Sequence, residues 1–527
     1  MGPVDTSMTG TAALENPDSD GSAAGEYRRW DGVRLADDVL LSTRPLAATR
    51  LNAAAVDTVD ALESDGFRTP AAVARETNQE PESVERLFER LHDRRFLEWR
   101  PSRDPADRPP VSVVVTVRNG RDHLQACLDA LAALDYPAYE VVVVDDGSTD
   151  GTSDVAGTHS LADADALRSL SVGSAADPLG IGASRNRGVD AAAHDVIAFT
   201  DADCRPRQDW LSELVPVLAS HDLVGGRVRP ARDSAASAYE RSNSSLDMGR
   251  HAARVDPGGE TPYLPTANLV GRRALFEAVG FPERNVAEDV ALCWDALDDG
   301  FSVVYAPSGV VEHVYRSGVR AFASRRSAYG ASEALLARNR GREETASVDV
   351  PVTAVLAVVL AGLGLLLGGV ASSLASAGFV GVAGVALGTG GLGLWRRYRR
   401  FPSVVSADDL ARSWGRERLS TAYAFARELT RYYAAPLALI GGIGVVAGAA
   451  APGVTLLLLV VAAVALPLVV EHRVHDPSVS ALAYAGYYLA DHLGYQYGLY
   501  RGAVIHRTLA HLNPLTRFRL VGHGRAS

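Results

Sequence analysis

"VSVVVTV", residues 111–117, contains five valines and no charge, with Pro110 before it and Asn119 soon after it. A continuous apolar run bounded by turn-forming residues suits a strand buried on both faces; a half-buried strand would alternate. Outward from it the pattern repeats. A helical stretch (121–134) leads to the strand "EVVVVDD" (140–146), the helical "IGASRNRGVDAAA" (181–193) leads to the strand "DVIAFTDAD" (195–203), and the alternation continues to about 345. This rhythm predicts an α/β domain over 111–345, a mostly parallel sheet covered by helices. Ligands of such sheets bind beyond the carboxyl ends of the strands. Asn119, Asp145, Asp146, Asp201 and Asp203 all fall at those ends.

Asp201 and Asp203 flank Ala202. On an extended strand, residues two apart point to the same face, so the two carboxylates would stand side by side and repel. If the chain turns there, both can reach one hard divalent cation, Mg2+ or Mn2+, which takes substrate phosphates as further ligands. The bland reading is an acidic surface loop, and the surrounding motifs weigh against it. In "VVVVDDGSTDGT" (141–152) a carboxylate of Asp145 or Asp146 can accept the N3–H of a uracil, with Asn119 nearby. "GASRNRG" (182–188) opens a helix, where Arg185 and Asn186 can address a diphosphate with help from the helix N-terminus. It is not a dinucleotide fingerprint, because Arg185 occupies the place of the third glycine. Glu288 and Asp289 begin another helix, a position where acids are also simply favourable. His313 lies in "GVVEHVYR" (309–316), where a lone strand histidine is as readily structural as a ligand.

The 527 residues carry a net charge of −11 and no lysine, so all 52 basic residues are arginine. With the acidity spread along the chain, a nucleic-acid partner is not expected. Cys127, Cys204 and Cys293 form no CxxC, which predicts neither a disulfide framework nor a zinc site and suits a reducing compartment.

Residues 1–26 read as a disordered tail, 27–100 as a small α+β unit, winged-helix-like or packing in kind, and 101–110 as a proline-rich linker. In the small unit, Thr69 before Pro70 predicts an N-cap with proline in the first turn, and "FLEW" (96–99) a returning strand. From 346 on, the apolar segments 351–371, 378–395, 435–451 and 453–470 predict two transmembrane hairpins, or one hairpin and a re-entrant pair. Arginine-rich flanks place both termini and the 111–345 domain in the cytoplasm, making this a multi-pass cell-membrane protein with the bilayer as a partner. The segment 401–433 and the tail 471–527 are expected along the membrane surface.

Taken in order, "VSVVVTVRNG", "VVVVDDGSTDGT", "GASRNRG", "FTDADC", "TANLVGRRALFEAVGFPE" and "EDVALCWDAL" make residues 111–316 resemble the family 2 glycosyltransferases of the GT-A fold. The resemblance implies inverting transfer of a sugar from a UDP-sugar donor. Asp145 and Asp146 would hold base and ribose. Asp201 and Asp203, with His313, would hold the Mg2+ or Mn2+, Asp289 would be the base, and Asn268 and Glu288 would face the acceptor. The Gln-x-x-Arg-Trp motif of processive synthases is missing from "FASRRSAYG" (322–330). The unit 27–100 resembles PqqD-type peptide-recognition domains, which bind by strand addition. Such a unit joined to this transferase resembles the mycofactocin-system glycosyltransferases, which implies a peptide-derived redox cofactor as acceptor and glucose, β-linked, as the sugar. Two other readings stay open: a membrane glycosyltransferase acting on a polyprenyl phosphate or other lipid or polysaccharide acceptor, and a non-catalytic membrane scaffold recruiting a peptide.

Overall fold

The computed structural model describes residues 25–43, 46–62, 66–106, 108–231, 234–282, 287–315, 318–340, 348–351, 395, 398, 404–513 and 518–521. The first unit is built of β1 (Gly25–Arg29), β2 (Val33–Ala36), β3 (Val39–Thr43), β4 (Leu46–Arg50), α1 (Ala53–Asp60), α2 (Pro70–Thr77), α3 (Pro81–Asp93) and β5 (Leu97–Pro101). β5 returns antiparallel on β1, and β2, β3 and β4 form an antiparallel sheet of their own. Thr69 caps α2 by accepting from the amide of Ala72, with Pro70 in the first turn. Proline fits there because its missing N–H would have had no helical partner.

The catalytic-scale domain follows with β6 (Val111–Val117), α4 (Arg121–Ala132), β7 (Tyr139–Asp146), α5 (Thr152–Thr158), α6 (Ser160–Asp163), β8 (Leu167–Val172), α7 (Ile181–Ala191) and β9 (Val196–Asp201). Next come β10 (Cys204–Pro206), α8 (Trp210–Leu214), β11 (Leu223–Gly225), β12 (Val228–Pro230), α9 (Ala235–Asn243), β13 (Ala253–Arg254), β14 (Leu269–Arg272), α10 (Arg273–Ala278), α11 (Glu288–Asp298), β15 (Val303–Tyr305) and β16 (Val311–His313).

Eight of these strands make one mixed sheet in the order β13-β15-β11-β14-β9-β6-β7-β8. The half β8-β7-β6-β9 is parallel, with β6, β7 and β9 where the apolar runs predict them, and β14 then joins β9 antiparallel. The valines of β6 and β7 are almost wholly buried, because helices cover both faces. The chain passes from β8 back over β6 to β9, so the strand order reverses beside β6. That is where an open sheet leaves a crevice. Register sets Thr116 opposite Asp201 and Val117 opposite Asp145, which puts the polar residues of three strands on one rim. A small sheet, β10-β16-β12, stands beside it and pairs Cys204 with His313.

Beyond the sheet, α12 (Val319–Arg340) leads to β17 (Val348–Pro351), α13 (Ala407–Tyr432), α14 (Ala434–Val446), α15 (Ala450–His475), α16 (Ala481–His506) and β18 (Phe518–Val521), which pairs with β17. The membrane expectation is met in part. Segments 351–371 and 378–395 lie almost wholly outside the described residues. The third expected span is the 13-residue α14. At 1.5 Å per residue α14 reaches about 20 Å, short of a bilayer core of about 30 Å. The fourth expected span lies inside α15, whose 26 residues make it, among the described residues, the one helix long and apolar enough to cross a membrane. α13 and α14 reach such a length only together, and they bend by 77° at their junction. One such helix gives no multi-pass topology and assigns no side to either terminus.

Candidate active site

The reversal of strand order opens into a cleft of about 1000 Å3. Its floor is the end of β6 and the following turn: Thr116, Val117, Arg118, Asn119 and Gly120. Asp201 and Asp203 stand on one side, and α12 forms the opposite wall through Arg320, Ala321, Ser324, Arg325 and Ala328. The chain does turn at Ala202 and Asp203, between β9 and β10, so both carboxylates look into one space.

His313 is brought to this place by the β10–β16 pairing, reinforced by the Val314 amide donating to the Asp203 carbonyl at 2.9 Å. Its imidazole is completely buried, and neither ring nitrogen has a hydrogen-bond partner among the described residues. Nε2 lies 3.5 Å from Asp203 Oδ1. Burial pushes the ring's pKa below the ordinary histidine value, against the pull of Asp203, so the imidazole is neutral with a free lone pair. A buried polar atom without a partner is costly. A divalent cation between Asp203 and His313 would satisfy it, with Asp201 within the same cleft, so the donor set fits such an ion. Cys204 Sγ belongs to the same cluster, but burial raises its pKa well above the usual thiol value and keeps it protonated. That makes it a poor ligand for a hard cation.

Asp145 and Asp146 hold the walls instead of lining them, whereas Asn119 both braces and lines the cleft. Asp145 is buried and accepts from the Ser148 amide at 3.0 Å and the Ser153 hydroxyl at 2.5 Å, closing the turn after β7. Both oxygens of Asp146 accept backbone amides, Leu179 at 2.7 Å and Gly180 at 2.8 Å, which fixes the entry to α7. Asn119, at φ 51°, accepts from the Thr149 amide at 2.9 Å and presents the β6 turn to the cleft.

Arg185 does not reach the cleft as a free cation. It is buried, with Nη2 3.0 Å from Asp201 and Nη1 2.8 Å from Glu288. Burial works against its charge, but the two carboxylates more than offset this and hold its pKa above the usual arginine value. Its role is to tie β9 to the start of α11. Asn186 is engaged too: its amide donates to the Phe281 carbonyl and its oxygen accepts from the Phe281 amide, both at 2.9 Å. Asn268 is corrected most plainly. It is fully buried, accepts from Trp210 Nε1 at 2.7 Å and donates to the carbonyls of Arg227 and Gly309, so it presents nothing to an acceptor.

Asp289, half-buried in the first turn of α11, stands one step behind the lining residues, joined to them through Glu288, Arg185 and Asp201. Burial first, then the neighbouring Glu288 carboxylate, push its pKa up to about 7. A carboxyl poised there is suited to proton transfer near neutral pH.

Sequence reading missed the α12 wall. Arg325 stacks on Tyr329, donates Nε to its hydroxyl at 2.7 Å, and keeps a raised pKa because Tyr329, Asp203 and Asp201 together more than offset its burial. No motif marks it; only the packing of α12 shows that it faces the two aspartates.

Residues 112–280 match the family model described as glycosyl transferase family 2. The chain is 34% identical over 284 residues to the pre-mycofactocin glycosyltransferase of Mycobacterium tuberculosis, covering 52% of this chain and 57% of that protein. It is 34% identical over 204 residues to glycosyltransferase AglE of Haloferax volcanii, covering 38% of this chain and 64% of that protein. The chain thus spans between half and two thirds of these relatives. Among solved structures it is similar to the mannosyltransferase PcManGT of Pyrobaculum calidifontis, in complex with GDP-Man and Mn2+, at 22% identity. The match covers 60% of this chain and 89% of that one, with a TM-score of 0.36.

Proposed function

We propose that this chain, which carries a family 2 glycosyltransferase domain, moves a hexose from a UDP-sugar to an acceptor hydroxyl with inversion at the anomeric carbon. The observation that supports this most is the convergence of Asp201, Asp203 and the unpartnered His313 on one side of a cleft whose other side carries Arg325. Asp203, His313 and Asp201 would hold the Mg2+ or Mn2+, which when bound neutralises charge developing on the diphosphate. The β6 turn with Asn119, braced by Asp145 and Asp146, receives the nucleoside. Arg185 holds Asp201 toward the cleft and Glu288 away from it.

In the step itself the acceptor oxygen attacks the anomeric carbon as the bond from that carbon to the phosphate oxygen breaks. The electron pair leaves with UDP, and the hydroxyl proton passes to Asp289, behind the lining residues, through one bridging water. The acceptor is a hydroxyl of a peptide-derived redox cofactor of the mycofactocin type, and the sugar is glucose in β linkage. Likeness to the pre-mycofactocin enzyme supports this, as do the edge positions of β2 and β4 in the small sheet of the first unit, which suit a PqqD-like strand-adding role. A second reading, a lipid-borne acceptor, is favoured by the exposed apolar side chains of α14, α15 and α16.

The test is release of UDP from UDP-glucose with Mn2+ present, followed by mass spectrometry of the acceptor. Wild-type protein should release UDP, and Asp203→Ala should lose about a thousandfold or more while still folded, as expected when transition-state charge goes unneutralised. Near-normal turnover by Asp203→Ala would remove this site from the chemistry. Hexose found only on lipids would replace the cofactor acceptor with the lipid one.

A further inference from the structure

α12 presents three stripes to three neighbours. Arg320, Ala321, Ser324, Arg325 and Ala328 line the cleft. A second stripe turns to α9, where Arg326 pairs with Glu240 at 2.6 Å, and it also meets Asp491 of α16 at 3.1 Å. Tyr239 of α9 donates to that same Asp491 at 3.0 Å, so all these groups are buried together. The third stripe, Ala323, Ser327 and Ala331, lies against α16 at Gly494, Gly498 and Gly502.

There the two backbones nearly touch. A β-carbon at Gly498 would sit 2.0 Å from the Ser327 carbonyl oxygen; at Gly494 it would sit 2.7 Å from that of Ala323, and at Gly502 2.7 Å from that of Ala331. Gly330 of α12 returns the contact, 2.2 Å from the Tyr495 carbonyl oxygen. These are backbone atoms, which cannot swing aside. Each glycine inside a helix costs about 1 kcal/mol relative to alanine, so a ladder at every fourth residue needs a packing reason. Gly486, on the same helix, has nothing within 4 Å of its missing β-carbon and supplies the contrast.

We infer that α16 is a positioning element of the active site. Its glycine ladder sets how closely α12 docks, and Asp491 sets the rotation of α12 through Arg326, so that Arg325 faces Asp201 and Asp203 where the donor diphosphate lies. This rests on the glycosyltransferase reading of the cleft. Gly494, Gly498, Gly502 and Asp491 touch no substrate; they act through Arg325.

The experiment is a double-mutant cycle on the full-length protein in detergent, measuring KM for UDP-glucose and kcat with Mn2+, and melting temperature for each variant. Gly498→Ala should raise donor KM by about tenfold, comparable to losing one charge-assisted contact. Arg325→Ala should raise it at least as much, and the double variant should be no worse than Arg325→Ala alone. Gly486→Ala should leave both constants as in wild type. If Gly498→Ala does not fold, Gly494→Ala takes its place in the cycle. A folded ladder variant with wild-type donor KM, or effects that multiply in the double variant, overturns the inference while wild-type turnover leaves the enzyme reading standing. A wild-type chain that neither binds nor turns over a nucleotide sugar overturns both.

Discussion

The cleft has two walls held by different means. On the strand side, the polar residues are held one by one through separate contacts: the turn at Ala202 and Asp203, the Asp145–Ser148 turn, and the amides of Leu179 and Gly180 donated to Asp146. On the helical side, Arg325 owes its place to contacts more than 160 residues away, between α12 and the glycines of α16. A wall fixed by short-range turns fails one residue at a time, with a loss of chemistry. A wall fixed by docked backbones fails by moving as a body, with a loss of affinity. The expected effects below separate these cases.

The largest belongs to a residue tied to the strand side through Arg185 and Asp201. Asp289→Asn should lower kcat by about a hundredfold to ten-thousandfold, the range for removing a general base. The pH dependence gives a second reading of the same group. A base must be ionised, so wild-type kcat/KM should rise with pH through about 7 and level off above it. The sign for stability is opposite. With its folded pKa above the unfolded value, Asp289 binds its proton more tightly in the native state, so it lowers stability as pH climbs from about 4 to about 7. The asparagine variant should therefore melt no lower than wild type at pH 8, while losing its acid limb in the rate profile. A variant that keeps both the rate and the limb would place the base elsewhere.

Next comes the joint between the walls and the core. Arg185→Met leaves Glu288 without its cation and frees Asp201, all within a partly dry site. Breaking such a buried pair costs about 3–5 kcal/mol. The melting temperature should fall clearly, and donor turnover with it. A variant with unchanged stability would show that Arg185 is not the tie between β9 and α11.

How much of this could be read in advance follows the same division. The parallel strands β6, β7 and β9, the rim carrying Asn119, Asp145, Asp146, Asp201 and Asp203, and the cap at Thr69 rest on local patterns, and they appear where the residues predict them. β8 was not foreseen, because "LRSLSV" (167–172) is an edge strand with exposed positions and no apolar run. α12 has no apolar stripe, since its buried neighbours accept alanine, serine and paired arginine, so "RRSAYGASEALLARNRGR" reads as a charged flank. The glycines of α16 look like a weak helix until the partner backbone is in place. Of the four apolar segments that hydropathy marks, two lie almost wholly outside the described residues, and the third, in α14, reaches a spanning length only together with α13, across a bend of 77°.

Asn268 is where a motif placed a residue in the site and packing withdrew it, and it carries the smallest effect. Its side chain meets Trp210 Nε1 and the carbonyls of Arg227 and Gly309, which fastens β14 to β12 and to the turn before β16. Alanine there leaves the Trp210 N–H and the Gly309 carbonyl in search of partners, while the Arg227 carbonyl keeps the Val311 amide, and local relaxation or an entering water would relieve part of the strain. We expect a loss of about 2–3 kcal/mol in stability, seen as a lower denaturation midpoint with an unchanged slope. Because Asn268 has no surface in the cleft, KM for donor and acceptor should stay at the wild-type value at temperatures where the variant is folded. A raised acceptor KM in a folded Asn268→Ala protein would mean that the buried amide reports on the cleft after all. The distinction between residues that line it and residues that brace it would then have to be redrawn along β14.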